Sequence, residues 1–168
     1  MTRFDEKAIR TIFETNLNQA KAKLAGLQVF CGKAPRFSGL SGWVFEQTIQ
    51  YCIQRELEAR GVKLPILEQV SLGGRAKADL TVADIAIELK MSGLFGLTDV
   101  RRYERYGRAA RERGMRYIFL TWEEKHRPYR DGIVRALGRP NIFFIKKSGE
   151  WERLFAILIG KNGLNSRH

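Results

Sequence analysis

The sequence predicts an α/β domain built on a mixed central sheet, and three observations predict it. Apolar residues recur at helical spacing over the first sixty positions, then switch to the two-residue period of strands from Ile66 to Lys90. Two of those strands, Lys77–Val82 and Ile85–Lys90, lie so close together that they must form a hairpin. A helix-length segment then separates Lys90 from the next strand, the spacing of a parallel crossover.

Each element has its own signal. The first helix runs roughly from Asp5 to Ala25, with Ile9, Ile12, Phe13, Leu17, Ala20 and Leu24 as its stripe and Asp5 as its cap. Gly26 to Ser41, carrying Gly32, Pro35 and Gly39, reads as an irregular connection. A second helix covers roughly Gly42 to Arg60, buries Phe45, Ile49, Cys52, Ile53 and Leu57, and stops at Gly61. Ile66 to Leu72 is strand-like and ends at Gly73-Gly74, ahead of the hairpin. Thr98 to Arg113 is a helix closed by Gly114, and Met115 to Trp122 is a strong strand. Gly132 to Leu137 reads as a short helix and Ile142 to Lys146 as a last strand. The apolar run Trp151 to Ile159 fits either period, and the tail from Lys161 to His168 is expected to fray.

A chain of 168 residues is expected to form one domain. Its core spans about 42–146, with residues 1–41 as an added N-terminal helix and loop and 161–168 as a tail. The composition, 44% hydrophobic and 29% charged, is that of a globular protein, and no apolar run approaches the roughly 18–20 residues that cross a bilayer. The start carries acids rather than the apolar segment of a secretory signal. Cys31 and Cys52 match no metal-ligand spacing. A reduced, cytoplasmic protein without a membrane partner is the expectation. Thirty Lys and Arg against 18 Asp and Glu give a net charge of +12. Such an excess is the electrostatic footprint of a protein that meets a polyanion, most often nucleic acid, although thermophilic, ribosomal and membrane-surface proteins share it. A membrane-surface role would want a basic amphipathic helix with bulky apolar residues opposite, which the sequence lacks.

The stretch KADLTVADIAIELK, residues 77–90, places Asp79, Glu88 and Lys90 inside strands rather than at their ends. A two-residue turn at Ala83-Asp84 pairs Val82 with Ile85, Thr81 with Ala86 and Leu80 with Ile87. Continued by one step, the register sets Asp79 beside Glu88, with Lys90 two residues along on the same face. Like charges opposite one another destabilise a sheet. Two readings follow: a solvated polar face, or a pair of carboxylates that share a hard divalent cation such as Mg²⁺.

Asp79, then eight residues, then Glu88-Leu89-Lys90, downstream of a helix bearing Glu46, resembles the PD-(D/E)XK nuclease superfamily. The order helix, three strands, helix, strand from Gly42 to Thr121 looks like the αβββαβ core of its restriction-endonuclease-like fold, and covers about half of the chain. One departure is that Ala78 precedes Asp79 where the motif has Pro. The resemblance implies a Mg²⁺-dependent endonuclease acting on DNA, with Mn²⁺ able to substitute. It implies that Asp79 and Glu88 ligate the metal, that Glu46 contacts it directly or through water, and that Lys90 positions or deprotonates the attacking water. Glu46 lies at the border of its helix's apolar stripe, so a plain surface glutamate is the other reading, and Asp84 reads as a turn residue. A nucleic-acid-binding protein that keeps the fold without catalysis is the alternative function, and a basic structural protein a third.

Arg101, Arg105 and Arg108 share one face of the third helix, opposite Val100, Tyr103, Gly107 and Ala110. Some branches of the superfamily carry Gln-x-x-x-Tyr on this helix; Arg102 and Tyr106 hold the spacing without the Gln. Arg75 and Lys77 precede Asp79, and Lys33 and Arg36 make the loop before the second helix basic. These side chains are expected to contact backbone phosphates, which position nucleic acid without reading its sequence. Cutting two strands would favour a two-fold homodimer.

Overall fold

The computed structural model describes residues 4–31, 39–91, 96–122 and 127–160. Helix α1 (Glu6–Cys31) and α2 (Leu40–Ala59) precede strands β1 (Ile66–Gly73), β2 (Ala76–Val82) and β3 (Ile85–Lys90). Helix α3 (Leu97–Glu112), β4 (Arg116–Thr121), α4 (Arg127–Leu137), β5 (Ile142–Phe144) and α5 (Glu150–Gly160) follow. The five strands form one sheet in chain order. The β1–β2 and β2–β3 pairs are antiparallel, and the β3–β4 and β4–β5 pairs are parallel, as the hairpin and the crossover require. The protein is therefore a mixed α/β domain with helices on both sheet faces.

Local chemistry sets the boundaries. Asp5 caps α1 by accepting the Ala8 N–H at 2.7 Å. The helix continues past the expected end at Ala25, because a lone Gly26 costs it only about 1 kcal/mol. Gly61 stops α2 in a left-handed conformation, φ 68, with the Val62 N–H donating to the Leu57 carbonyl at 2.9 Å. Helix α4 begins five residues before the expected Gly132, with Pro128 in its first turn, where the missing N–H is not needed. Strand β5 stops at Phe144 rather than Lys146, although the Ile145 and Lys146 N–H groups still donate to the Thr121 and Trp122 carbonyls. The ambiguous run after Gly149 is helical, and Trp151, Leu154, Phe155 and Leu158 bury its inner face. Among the described residues, no helix is long and apolar enough to cross a membrane.

Two cores sandwich the sheet. On one face α1, α2 and α5 bring Ile9, Phe45, Ile53 and Phe155 against Leu80, Ile87, Leu89 and Ile118. On the other, α3 and α4 bring Val100, Tyr103, Ile133 and Leu137 against Ala86, Tyr117 and Phe119. One strand does not keep its alternation. Leu80 and Val82 belong to the first core and Ala78 and Ala76 to the second, although a regular strand would hold all four on one face. Strand β1 crosses over with it, since Ile66 packs in the first core and Leu72 in the second. The change falls at Asp79, where the facing strand carries Gln69 at φ 50 between the Glu68–Leu80 and Val70–Ala78 pairs. A left-handed residue of this kind costs roughly 1–2 kcal/mol, so the crossover is held by the surrounding packing.

Candidate functional site

The hairpin turn is the two-residue Ala83-Asp84, with Ala83 at φ 52, and the expected pairs Val82–Ile85, Thr81–Ala86 and Leu80–Ile87 all form. The ladder then ends. In place of a further backbone pair, the Asp79 carboxylate accepts the Leu89 N–H at 2.8 Å through Oδ2. Its Oδ1 faces the Gln69 amide nitrogen at 3.4 Å. Asp79 thus sits where β2 parts from β3, its side chain fixed by the strand it has left.

Glu88 comes next on β3, in parallel register with Phe119 of β4, and is only 8% exposed. Parallel neighbours share a face, so Ala86, Glu88, Tyr117 and Phe119 all point toward α3. The Tyr117 hydroxyl donates to Glu88 Oε2 at 3.4 Å inside this buried region. Lys90 ends the strand in register with Thr121, whose buried hydroxyl has no hydrogen-bond partner among the described residues. Glu46, in the second turn of α2, is half-buried.

Electrostatics ties these four residues into one group. Burial, then the charge of Asp79, pushes the Glu46 carboxyl up to about 7. Burial and the same Asp79 charge push Glu88 up to about 8, with Glu46 adding to the effect. Asp79 is raised as well, chiefly by burial, with the Leu89 N–H, the Gln69 amide and Lys90 pulling the other way. The Lys90 charge lowers all three carboxyls, but burial outweighs it in each. Tyr117 is pushed up by burial and by Glu88, so it remains a hydrogen-bond donor. The three acids and Lys90 therefore lie near enough to feel one another's charge, in a region that burial keeps poorly solvated.

This donor set, all carboxylate oxygen, suits a hard divalent cation. Among the described residues, no three His, Cys, Asp or Glu side chains are arranged closely enough to hold a metal ion by themselves. Mg²⁺ does not need such a cage. It binds through one or two carboxylates and fills its remaining positions with water and phosphate oxygens. Asp79 and Glu88 fit that role, and Glu46 could join directly or through a water.

The basic residues divide. Arg75 and Lys77 are exposed on the β1–β2 turn and the start of β2, and Arg101, Arg105 and Arg108 are exposed on α3. As expected, the buried face of α3 is Val100, Tyr103, Gly107 and Ala110. Arg75 and Arg105 are brought together at one cavity, whereas Arg101 lines another with Glu104 and Arg135. Arg102 instead pairs with Asp99 at 3.5 Å. Lys33 and Arg36 lie outside the described residues. Sequence reasoning missed Gln69 and Tyr117, which hold Asp79 and Glu88. Only Tyr117 left a signal, as a polar aromatic two residues before the position that pairs with Glu88.

No family model, curated protein or solved structure matches the chain.

Proposed function

We propose that this chain is a Mg²⁺-dependent DNA endonuclease with a restriction-endonuclease-like fold, the reading to which the Asp79, Glu88-x-Lys90 and Glu46 pattern points. The observation that carries it is the set of three coupled carboxyl groups beside Lys90, at the point where β2 parts from β3. Charges packed against one another in a buried place are costly unless something compensates them. A cation that arrives with its substrate is such a compensation, and the net charge of +12 suits a polyanionic substrate.

On this reading Asp79 and Glu88 would hold the cation, and Glu46 would contact it directly or through water. The ion, when bound, neutralises phosphate oxygens and lowers the pKa of a water it carries. Lys90 orients that water, takes its proton when in the neutral amine form, having first given its own proton to solvent, and as the resulting ammonium stabilises charge on the phosphate. Tyr117 orients Glu88 by donating to its Oε2. Gln69 and the Leu89 N–H orient Asp79. Water attacks phosphorus, the bridging P–O bond breaks, and the leaving oxygen takes up a proton. The arginines of α3 and of the β1–β2 turn hold the DNA backbone.

The test is cleavage of supercoiled and of branched DNA, each with Mg²⁺ and with EDTA. The wild type nicks in Mg²⁺ and is silent in EDTA. Lys90→Ala lowers the rate by roughly 10²–10⁴-fold, the usual contribution of a proton-transfer group. DNA binding by the wild type with no cleavage of either substrate in Mg²⁺ would overturn the enzyme and leave a non-catalytic DNA-binding protein.

A further inference from the structure

A cavity of about 370 Å³ lies between the β1–β2 turn and α3, lined by Gly73, Arg75, Ala76, Arg105, Tyr106 and Ala109. A third guanidinium borders it. The Nε and Nη2 atoms of Arg113 lie 3.9 Å from where a Cβ on Gly73 would stand, and its Nη1 donates to the Ser71 carbonyl at 3.2 Å. The Tyr106 hydroxyl reaches the Arg75 carbonyl at 3.4 Å, which ties the turn to the helix and fixes the two walls relative to each other.

These three arginines share with Arg101, Arg108, Arg111, Arg116 and Arg135 the lack of a carboxylate partner among the described residues, and what sets the three apart is that they meet at a cavity whose described lining holds no carboxylate. Arg10, Arg55, Arg60, Arg102, Arg130, Arg139 and Arg153 each have a carboxylate within 4.0 Å. Arg75, Arg105 and Arg113 have none among the described residues. Like charges gathered around a concavity repel, and an oxyanion is the group that satisfies them, because guanidinium forks match phosphate oxygens in pairs.

We propose that this cavity is a second phosphate site, which holds one backbone phosphate of the DNA strand away from the phosphate that is cut. The polymer's identity rests on the nuclease reading. The position follows from the strand: Arg75 and Asp79 are four residues apart on the turn and β2, about 13 Å at 3.3 Å per residue. One DNA strand carries a phosphate at every nucleotide and winds about the axis as it advances about 3.4 Å, so the held phosphate lies within a few nucleotides of the cut. Helix α3 packs on the sheet face that carries Glu88, so one strand of DNA can meet both places.

The experiment measures binding of a short duplex to the full chain in EDTA, across a range of salt concentrations. Arg75→Gln and Arg105→Gln each weaken binding by roughly 3–10-fold and reduce the slope of log affinity against log salt by about one phosphate contact. Arg55→Gln, on α2 and paired with Glu58, leaves the slope unchanged. Among duplexes with a single neutral methylphosphonate stepped over the few nucleotides beside the cut, one binds the wild type more weakly and Arg75→Gln no more weakly still. Wild-type binding with an unaltered slope in both arginine variants would overturn the site while leaving the nuclease reading intact. Dependence on a terminal 5′-phosphate rather than an internal one would overturn the backbone assignment. No DNA binding by the wild type would instead remove the nuclease reading itself.

Discussion

Asp79→Asn lowers Mg²⁺-dependent DNA cleavage by on the order of 10³-fold or more while the protein stays folded. Asparagine keeps an oxygen to accept the Leu89 N–H and retains the shape of the side chain, so the splayed end of the hairpin survives. What it removes is a negative charge from the centre of the cluster, the one that raises both Glu46 and Glu88. A purely structural Asp79 would give the opposite pattern, with activity tracking stability. Comparing urea midpoints with single-turnover cleavage rates separates the two. Wild-type cleavage retained in Asp79→Asn would remove this residue from the site.

Glu88→Gln makes the metal-free protein more stable at high pH, by up to a few kcal/mol. The sign follows from the direction of the shift. A carboxyl whose folded pKa is about 8 against an ordinary 4.5 binds more protons folded than unfolded between those values. Stability contributed by that proton is present below pH about 4.5 and is lost as pH rises through about 8. Glutamine is neutral throughout and can still accept the Tyr117 hydroxyl, so it avoids the loss. The gain is therefore absent near pH 4 and full near pH 9, and it comes with loss of cleavage. A protein that gains stability on losing a side chain keeps that side chain for something other than folding. Urea unfolding in EDTA at both pH values checks this, and equal or lower stability of Glu88→Gln at pH 9 would contradict the burial of a charge-bearing Glu88.

Much of this arrangement is legible in the sequence, for identifiable reasons. The hairpin register follows from loop parity alone, and Leu80–Ile87, Thr81–Ala86 and Val82–Ile85 pair as counted. Counting fails one step further. Whether Asp79 joins the ladder depends on its side chain competing for the Leu89 N–H, which residue spacing does not encode. The change of face at Asp79 is hidden for a similar reason, because it depends on the φ of Gln69 on another strand. The arginine stripe of α3 is visible from periodicity, but the meeting of Arg105 with Arg75 depends on how α3 lies across the β1–β2 turn. The run after Gly149 fits either period in the sequence, and it is the packing of its inner face that makes it a helix. Trp151, Leu154, Phe155 and Leu158 follow the i, i+3, i+4, i+7 spacing of that buried face.

The central claim is that Asp79, Glu88 and Glu46 are held together for a divalent cation. Calorimetric titration of the protein with Mg²⁺ near pH 7.5, in two buffers of different ionisation enthalpy, tests it most directly. Carboxyls raised to about 7 and about 8 must give up protons to the solvent when the ion binds. The account predicts binding with net proton release, strengthened as pH rises and lost in Asp79→Asn. Absence of Mg²⁺ and Mn²⁺ binding at millimolar concentration, or binding that releases no protons and persists in Asp79→Asn, would contradict it.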